Sequence, residues 1–189
     1  MNRKDHVKMH SYPGMVAVVG VFHEGKVNFM AAGWHAYLSM SPPMYGVAIG
    51  RERHTYEMVK QSTQFTINFL PFEEAGFIQY SGTVSGRDVD KNQMYDQPWR
   101  MERNGFPLLE RAYLAYESQV HQIVPTGDHD WVIGDIEGCH YKEEKFLENG
   151  LPNFENLNIP LYLGRSSYMG LDKEVEIREV NAPLSFKKS

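Results

Sequence analysis

Apolar, β-branched runs recur along the chain between clusters of turn residues, at 15–22, 27–32, 44–49, 65–70, 118–124 and 131–140. Their lengths suit strands, and their succession predicts a mainly β protein with a β-barrel rhythm, not the strand–helix alternation of a doubly wound sheet. Glu24-Gly25-Lys26 predicts a tight hairpin turn between the first two runs. Pro42-Pro43 bars regular structure before the third, because proline has no backbone N–H to give to a ladder. Two stretches break the pattern with helical spacing. One, 56–61, would turn Met58 and Val59 toward the barrel; the other, 72–80, carries Ala75, Phe77 and Ile78. A third, short helical stretch is expected near 146–148. The segment 82–107 is polar and glycine-containing, with Met94, Tyr95 and Trp99 as anchors, and irregular segments of that length inside compact domains are usually functional or mobile.

The chain has 189 residues, of which 42% are hydrophobic. That is enough for one domain over 1–189 with a sizeable core, whereas two domains would leave both halves small. The core is expected over 13–170, with a tail from 180 onward. A net charge of -5 without any Lys/Arg cluster argues against a nucleic-acid partner; Lys187-Lys188 is only a basic tail. Arg3, Lys4 and Lys8 ahead of the run 15–22 imitate a signal peptide. That run, however, ends at His23-Glu24, lacks a small-x-small cleavage site and falls short of the ~18 apolar residues that span a bilayer. A buried strand is expected there, and no membrane. Cys139, the single cysteine, cannot form an internal disulfide, which is compatible with the cytoplasmic location we expect.

Eight histidines raise the question of a metal. His6 and His10 have i, i+4 spacing but no third ligand at useful distance, and Cys139 and His140 point to opposite faces of one strand, so no metal is expected. Cys139 reads as buried packing without an activating base. No Ser-His-Asp arrangement is visible. Neither G-x-G-x-x-G nor a Walker A sequence is present, so a nucleotide held on a Rossmann or P-loop site is not expected.

The candidate chemistry concentrates between 28 and 55, NFMAAGWHAYLSMSPPMYGVAIGRERHT. Ala31, Ala32 and Gly33 leave a backbone bare enough for a planar molecule to lie close, with Trp34 and His35 beside it. Thr55 is placed to cap a helix starting at Tyr56 and to expose its first N–H groups to an anion, with Arg51, His54, Ser85 and Lys91 as further candidates for the same anion. The bland alternative makes Thr55 a plain cap, Arg51 and Lys91 solvated charges, and Trp34 core filling. Asn28 lies inside an apolar strand, where its amide must find a partner or cost about 1 to 3 kcal/mol. His129 lies between Asp128 and Asp130 at the mouth of a strand, and two flanking carboxylates favour its cation.

Taken in order, the 28–55 stretch, Ser62-Thr63-Gln64-Phe65-Thr66-Ile67-Asn68, the loop from Ser81-Gly82 through Ser85-Gly86 to Asp90-Lys91, and Gly127-Asp128-His129 with Gly134 resemble the flavin reductase-like family of FMN-binding split barrels, which includes the flavoredoxins. The resemblance runs from about Pro13 to about Gly170. It departs from the family at Gln64, where Glu is frequent, and at Ser118, where many members have Cys. It implies a Greek-key split barrel with short helices at its rim, FMN as cofactor and NAD(P)H as transient co-substrate. It also implies a homodimer with the flavin near the interface, and a redox protein or monooxygenase as a further partner. It puts Trp34 and His35 along the isoalloxazine ring, Asn28 at the imide edge, Tyr162 and Tyr168 near the ring, and His129 in a catalytic position. The implied function is reduction of FMN by NAD(P)H; the alternatives are a flavoredoxin-like electron carrier without reductase activity, and a binding protein for another ligand.

Overall fold

The computed structural model describes residues 13–178. In chain order the elements are β1 (Gly14–Met15), β2 (Ala17–His23), β3 (Lys26–Ala32), β4 (His35–Met40), β5 (Pro43–Gly50), α1 (His54–Ser62) and β6 (Gln64–Phe69). After a 3-10 turn at Phe72–Glu74 come α2 (Ala75–Thr83), α3 (Lys91–Tyr95), β7 (Trp99–Met101), β8 (Pro107–Leu109), β9 (Leu114–Thr126) and β10 (His129–Tyr141). A 3-10 turn at Glu143–Lys145 precedes β11 (Ile159–Gly164) and β12 (Ser167–Leu171). Seven strands form one antiparallel sheet in the order β3-β2-β6-β9-β10-β5-β4. Smaller antiparallel sheets join β1-β11-β12 and β7-β8.

The main sheet curls until β3 approaches β5 without being its ladder neighbour. This leaves a barrel open along one seam. The run at 15–22 reads as continuously apolar because β2 is buried on both faces. Val19 and Val21 join Val47, Ile49, Phe65, Ile67 and Val132 in the barrel interior, while Val18 packs with Phe29, Leu70, Phe77 and Ile78 beneath α2. Each such fully buried side chain contributes about 1.5 to 3 kcal/mol relative to exposure. Helix α1 carries the chain from β5 to β6 and buries Met58 and Val59, the two residues its spacing turned toward the barrel. The hairpin between β2 and β3 turns at Glu24 and Gly25, both at positive φ (48° and 77°), the backbone a two-residue turn of this hand requires.

Several boundaries differ from the sequence reading. Helix α1 begins at His54, not Tyr56, and its N-cap is Arg53; Thr55 lies inside the first turn and caps nothing. The 72–80 helix is a 3-10 turn followed by α2, which runs on to Thr83. The short helical stretch expected at 146–148 is the turn Glu143–Lys145. Strand β4 was hidden because His35–Met40 is mostly exposed, and Pro43 opens β5 opposite Met40. Within 82–107 stands α3, capped by the Asp90 side chain accepting from Asn92 N–H at 3.0 Å. Cys139, expected to be buried, is exposed. The His6/His10 pair, the basic N-terminus and the Lys187-Lys188 tail lie outside the described residues.

Candidate functional site

Where the barrel seam opens, the small residues of β3 face the end of β5. Ala31, Ala32 and Gly33 form one side of a cleft of about 260 Å³, completed by Ala48, Gly50, Trp34, His129 and, from α2, Ile78, Gln79 and Gly82. Tyr162 and Tyr168, side by side with ring centroids 5.1 Å apart, reach it from the β11–β12 hairpin. Trp34 is held by its carbonyl accepting from Ala48 N–H (2.9 Å), and its ring lies 4.8 Å from that of His129. His129 is paired across the ladder with Gly50. Its Nδ1 stands 2.8 Å from Asp128 Oδ1. Tyr168 OH donates to Gln79 Oε1 at 3.1 Å, and burial, then Tyr162, pushes its hydroxyl up to about 12, so it stays a neutral donor.

A second, polar cleft of about 320 Å³ adjoins the first, and Met30 and Gly82 line both. Its walls are the start of α1, with Arg53, His54 and Thr55, and the segment from Ser81 to Arg87, with Ser85 and Gly86; Asn28 and Lys91 complete it. The Asn28 amide donates to Thr55 Oγ1 at 2.8 Å, so the buried amide is satisfied by helix α1. The Tyr56 N–H turns back to Arg53 O (3.0 Å), while the N–H groups of His54 and Thr55 precede any intrahelical acceptor.

The polar cleft is basic. Lys91 is 4% exposed, and its Nζ donates to Phe29 O (2.9 Å) and Ser81 O (2.8 Å), the residues just before the shared Met30 and Gly82. It therefore clasps β3 to α2 at the neck between the clefts. Among the described residues no carboxylate pairs with it. Burial, then the Arg53 charge, lowers its pKa to about 8. His54 is lowered by burial and by the charges of Arg87, Lys91 and Lys26. The one acid lining the cleft, Glu52, is engaged by Arg53 at 3.1 Å. A buried ammonium among other cations, without a counter-charge, fits an anionic ligand.

Of the residues singled out in the sequence, Ala31, Ala32, Gly33, Trp34, His129, Tyr162 and Tyr168 meet at the apolar cleft, and Asn28, His54, Thr55, Ser85 and Lys91 at the polar one. Two do not belong to either. Arg51 is committed to Asp130, with Nε and Nη2 at 2.7 and 2.6 Å from Oδ1, while Tyr56 OH donates to Oδ2. His35 faces the barrel interior, bonded to Tyr45 OH (2.7 Å) and the Met15 carbonyl (3.1 Å). Asn28 lines the polar cleft and not the ring cleft. Asp130, turned toward Arg51, does not flank His129 electrostatically as Asp128 does. Arg53 and Arg87, not singled out from the sequence, line the polar cleft that Arg51 does not reach; one stands ahead of the His54-Thr55 pair and one after Ser85-Gly86.

Together the clefts accept an elongated molecule with a planar ring at one end and an anion at the other. The fit to FMN rests on that juxtaposition and on the unpaired buried charge of Lys91. Residues 9–172 match the family described as flavin reductase like domain. An FMN-binding protein from Thermus thermophilus, solved with bound 1-cyclohex-2-enone, is 34% identical and superimposes with a TM-score of 0.85 over 94% of this chain and 99% of its own. An uncharacterized protein of Aeropyrum pernix is 31% identical over 162 residues, 84% of this chain and 60% of that protein, so the chain spans less than two thirds of that relative's length. A flavin reductase of Pseudomonas putida is 25% identical over 134 residues, 70% of this chain and 76% of that one.

Proposed function

We propose, for a chain that belongs to the family of flavin reductase like domains, that it binds FMN across the two clefts and passes electrons from NAD(P)H through it to an acceptor. The observation that carries this reading is the joining of an apolar slot to a basic cleft at Met30 and Gly82. The bare backbone at 31–33 takes the face of the isoalloxazine, with Trp34 and His129 along its border. The phosphate goes to the first N–H groups of α1 and to Arg53, Arg87 and Lys91. FMN, when bound, supplies the hydride chemistry; the chain supplies position and charge.

His129 is suited to hold a proton beside the ring. With Nδ1 engaged by Asp128, Nε2 remains to accept or donate one at the cleft. Without a glycine cradle for its diphosphate, a nicotinamide nucleotide would stack on the open side of the ring and bind weakly. The Thermus thermophilus relative with its bound cyclohexenone supports a second reading for that same open side, a small planar carbonyl compound as acceptor. We further propose a homodimer, because Tyr37 (56% exposed), Met40 (85%) and Tyr141 (58%) leave large apolar side chains uncovered on β4 and β10.

Titrating the full chain with FMN and then adding NADH or NADPH without oxygen tests the function. The expected result is saturable binding followed by bleaching of the flavin band. Binding with bleaching by dithionite alone replaces the reductase with an electron carrier, and absence of binding removes the FMN reading.

A further inference from the structure

Helix α2 borders both clefts. Ile78, Gln79, Gly82 and Thr83 line the ring cleft, while Ser81, Gly82 and the segment from Val84 to Arg87 line the polar one. The helix lies against β3 at Gly82, where an added Cβ would come within 3.2 Å of Ala31 Cβ. Gln79 precedes Gly82 by three positions, so it stands on the same helix face, roughly 5 Å farther from the neck along the axis. It lines the ring cleft alone.

Hydrogen bonds fix the direction of its amide. Tyr168, kept neutral by burial, donates its O–H to Gln79 Oε1 at 3.1 Å. The oxygen is thereby turned to the β11–β12 hairpin, and the amide nitrogen keeps both of its N–H donors. No acceptor meets them among the described residues. Ile78 and Gly82 have no polar side-chain atom, and the Thr83 hydroxyl donates to the Gln79 carbonyl at 3.0 Å. Gln79 therefore carries the side-chain donors that α2 still has to offer at the ring cleft.

An isoalloxazine has two unlike edges, a dimethylbenzene edge of hydrocarbon and a pyrimidine edge with carbonyl oxygens. On reduction the negative charge gathers on the pyrimidine. We propose that Gln79, oriented by Tyr168, donates to a pyrimidine carbonyl of the bound flavin, turning that edge toward α2 and favouring the reduced, anionic ring. This role rests on the FMN reading and deepens it. Gln79 meets the ring itself; Tyr168 is a positioning residue that acts through it. Because a donor holds a charged acceptor more strongly than a neutral one, the amide acts more on reduced flavin than on oxidised.

The full chain loaded with FMN and titrated with dithionite against reference dyes gives the potential without any turnover. Gln79→Leu should weaken reduced FMN about tenfold relative to oxidised FMN, which lowers the two-electron potential by about 30 mV. Gln79→Glu keeps the shape but offers only acceptors, and should lower the potential at least as far. Tyr168→Phe keeps a ring beside Tyr162 and should lower it by less. Since the amide meets the ring and not the phosphate, each variant should change the affinities for oxidised FMN and riboflavin by equal factors. If Gln79→Leu does not fold, the two variants of unchanged shape decide. An unchanged potential in the Gln79 variants overturns the donor role while leaving FMN binding standing. So does a loss confined to the affinity for cyclohexenone, which would give the amide to an acceptor's carbonyl instead. Failure of the wild-type chain to bind either flavin overturns both together.

Discussion

Replacing Lys91 with methionine, of similar length but without charge, isolates what the ammonium does at the neck between the clefts. Its two bonds to Phe29 O and Ser81 O, at 2.9 and 2.8 Å, are charge-assisted and together worth about 3 to 6 kcal/mol. Against them stands the cost of keeping the charge buried. The fall of its pKa from 10.5 to about 8 corresponds to roughly 3 kcal/mol at 1.36 kcal/mol per unit. In the flavin-free chain the balance favours the bonds by up to about 3 kcal/mol, so Lys91→Met should lower Tm by up to about ten degrees. With FMN bound, the phosphate supplies the missing counter-charge, and its loss should weaken FMN about tenfold to a hundredfold. Riboflavin, which has no phosphate, should change less than about threefold on the same scale. The assay is fluorescence titration with both flavins, alongside a melting curve without flavin. Equal losses for FMN and riboflavin would take Lys91 away from the phosphate and leave it only as a clasp between β3 and α2.

The same lysine makes binding pH-dependent. Its flavin-free pKa of about 8 means that FMN affinity should fall as the pH rises above 8, a trend Lys91→Met abolishes. Without flavin the sign is opposite for stability: the unfolded chain binds the extra proton between about 8 and 10.5, so stability rises with pH there. Melting curves should show this only up to about pH 9.5, since Tyr45, Tyr113 and Tyr116, raised chiefly by burial, lose stability for the fold once unfolded tyrosines ionise near 10. Arg51→Ala should lower Tm by breaking its pair with Asp130 yet leave the FMN-to-riboflavin ratio intact; a selective loss of FMN would restore Arg51 to the phosphate site. Light scattering should report a dimer at micromolar concentration, and Met40→Asp should shift it toward monomer; a wild-type monomer with FMN bound refutes the dimer. Cys139→Ser should leave flavin reduction unchanged, and loss of reduction with binding preserved would reveal a thiol role.

The strands that carry the site were legible because burial writes itself into sequence. β2, covered on both faces, reads as an unbroken apolar run, and the small residues at 31–33 announce a close approach of some partner. The signal was weaker elsewhere: β4 is mostly exposed, the β11–β12 hairpin is short and interrupted by Pro160 and Gly164, and α3 depends on one Asp90 cap. For the site, residue type proved easier to read than direction. His35 follows Trp34 immediately, and that single step turns it from the cleft to the Tyr45 hydroxyl and the Met15 carbonyl. Arg51 and Arg53 differ by two positions, yet the first is drawn to Asp130, 79 residues away, leaving the second for the cleft. No local pattern encodes such a long-range partner. Arg87 was missed for the same reason, since the fold brings it to the polar cleft beside Glu52, whose carbonyl accepts from its guanidinium.

A crystal structure of the chain with FMN tests the central claim most directly. The isoalloxazine should lie against 31–33, bordered by Trp34, His129 and the Tyr162/Tyr168 pair, with phosphate oxygens within hydrogen-bond distance of the His54 and Thr55 N–H groups and of Arg53 or Lys91. A phosphate at Arg51, or a ring outside the seam between β3 and β5, would contradict it.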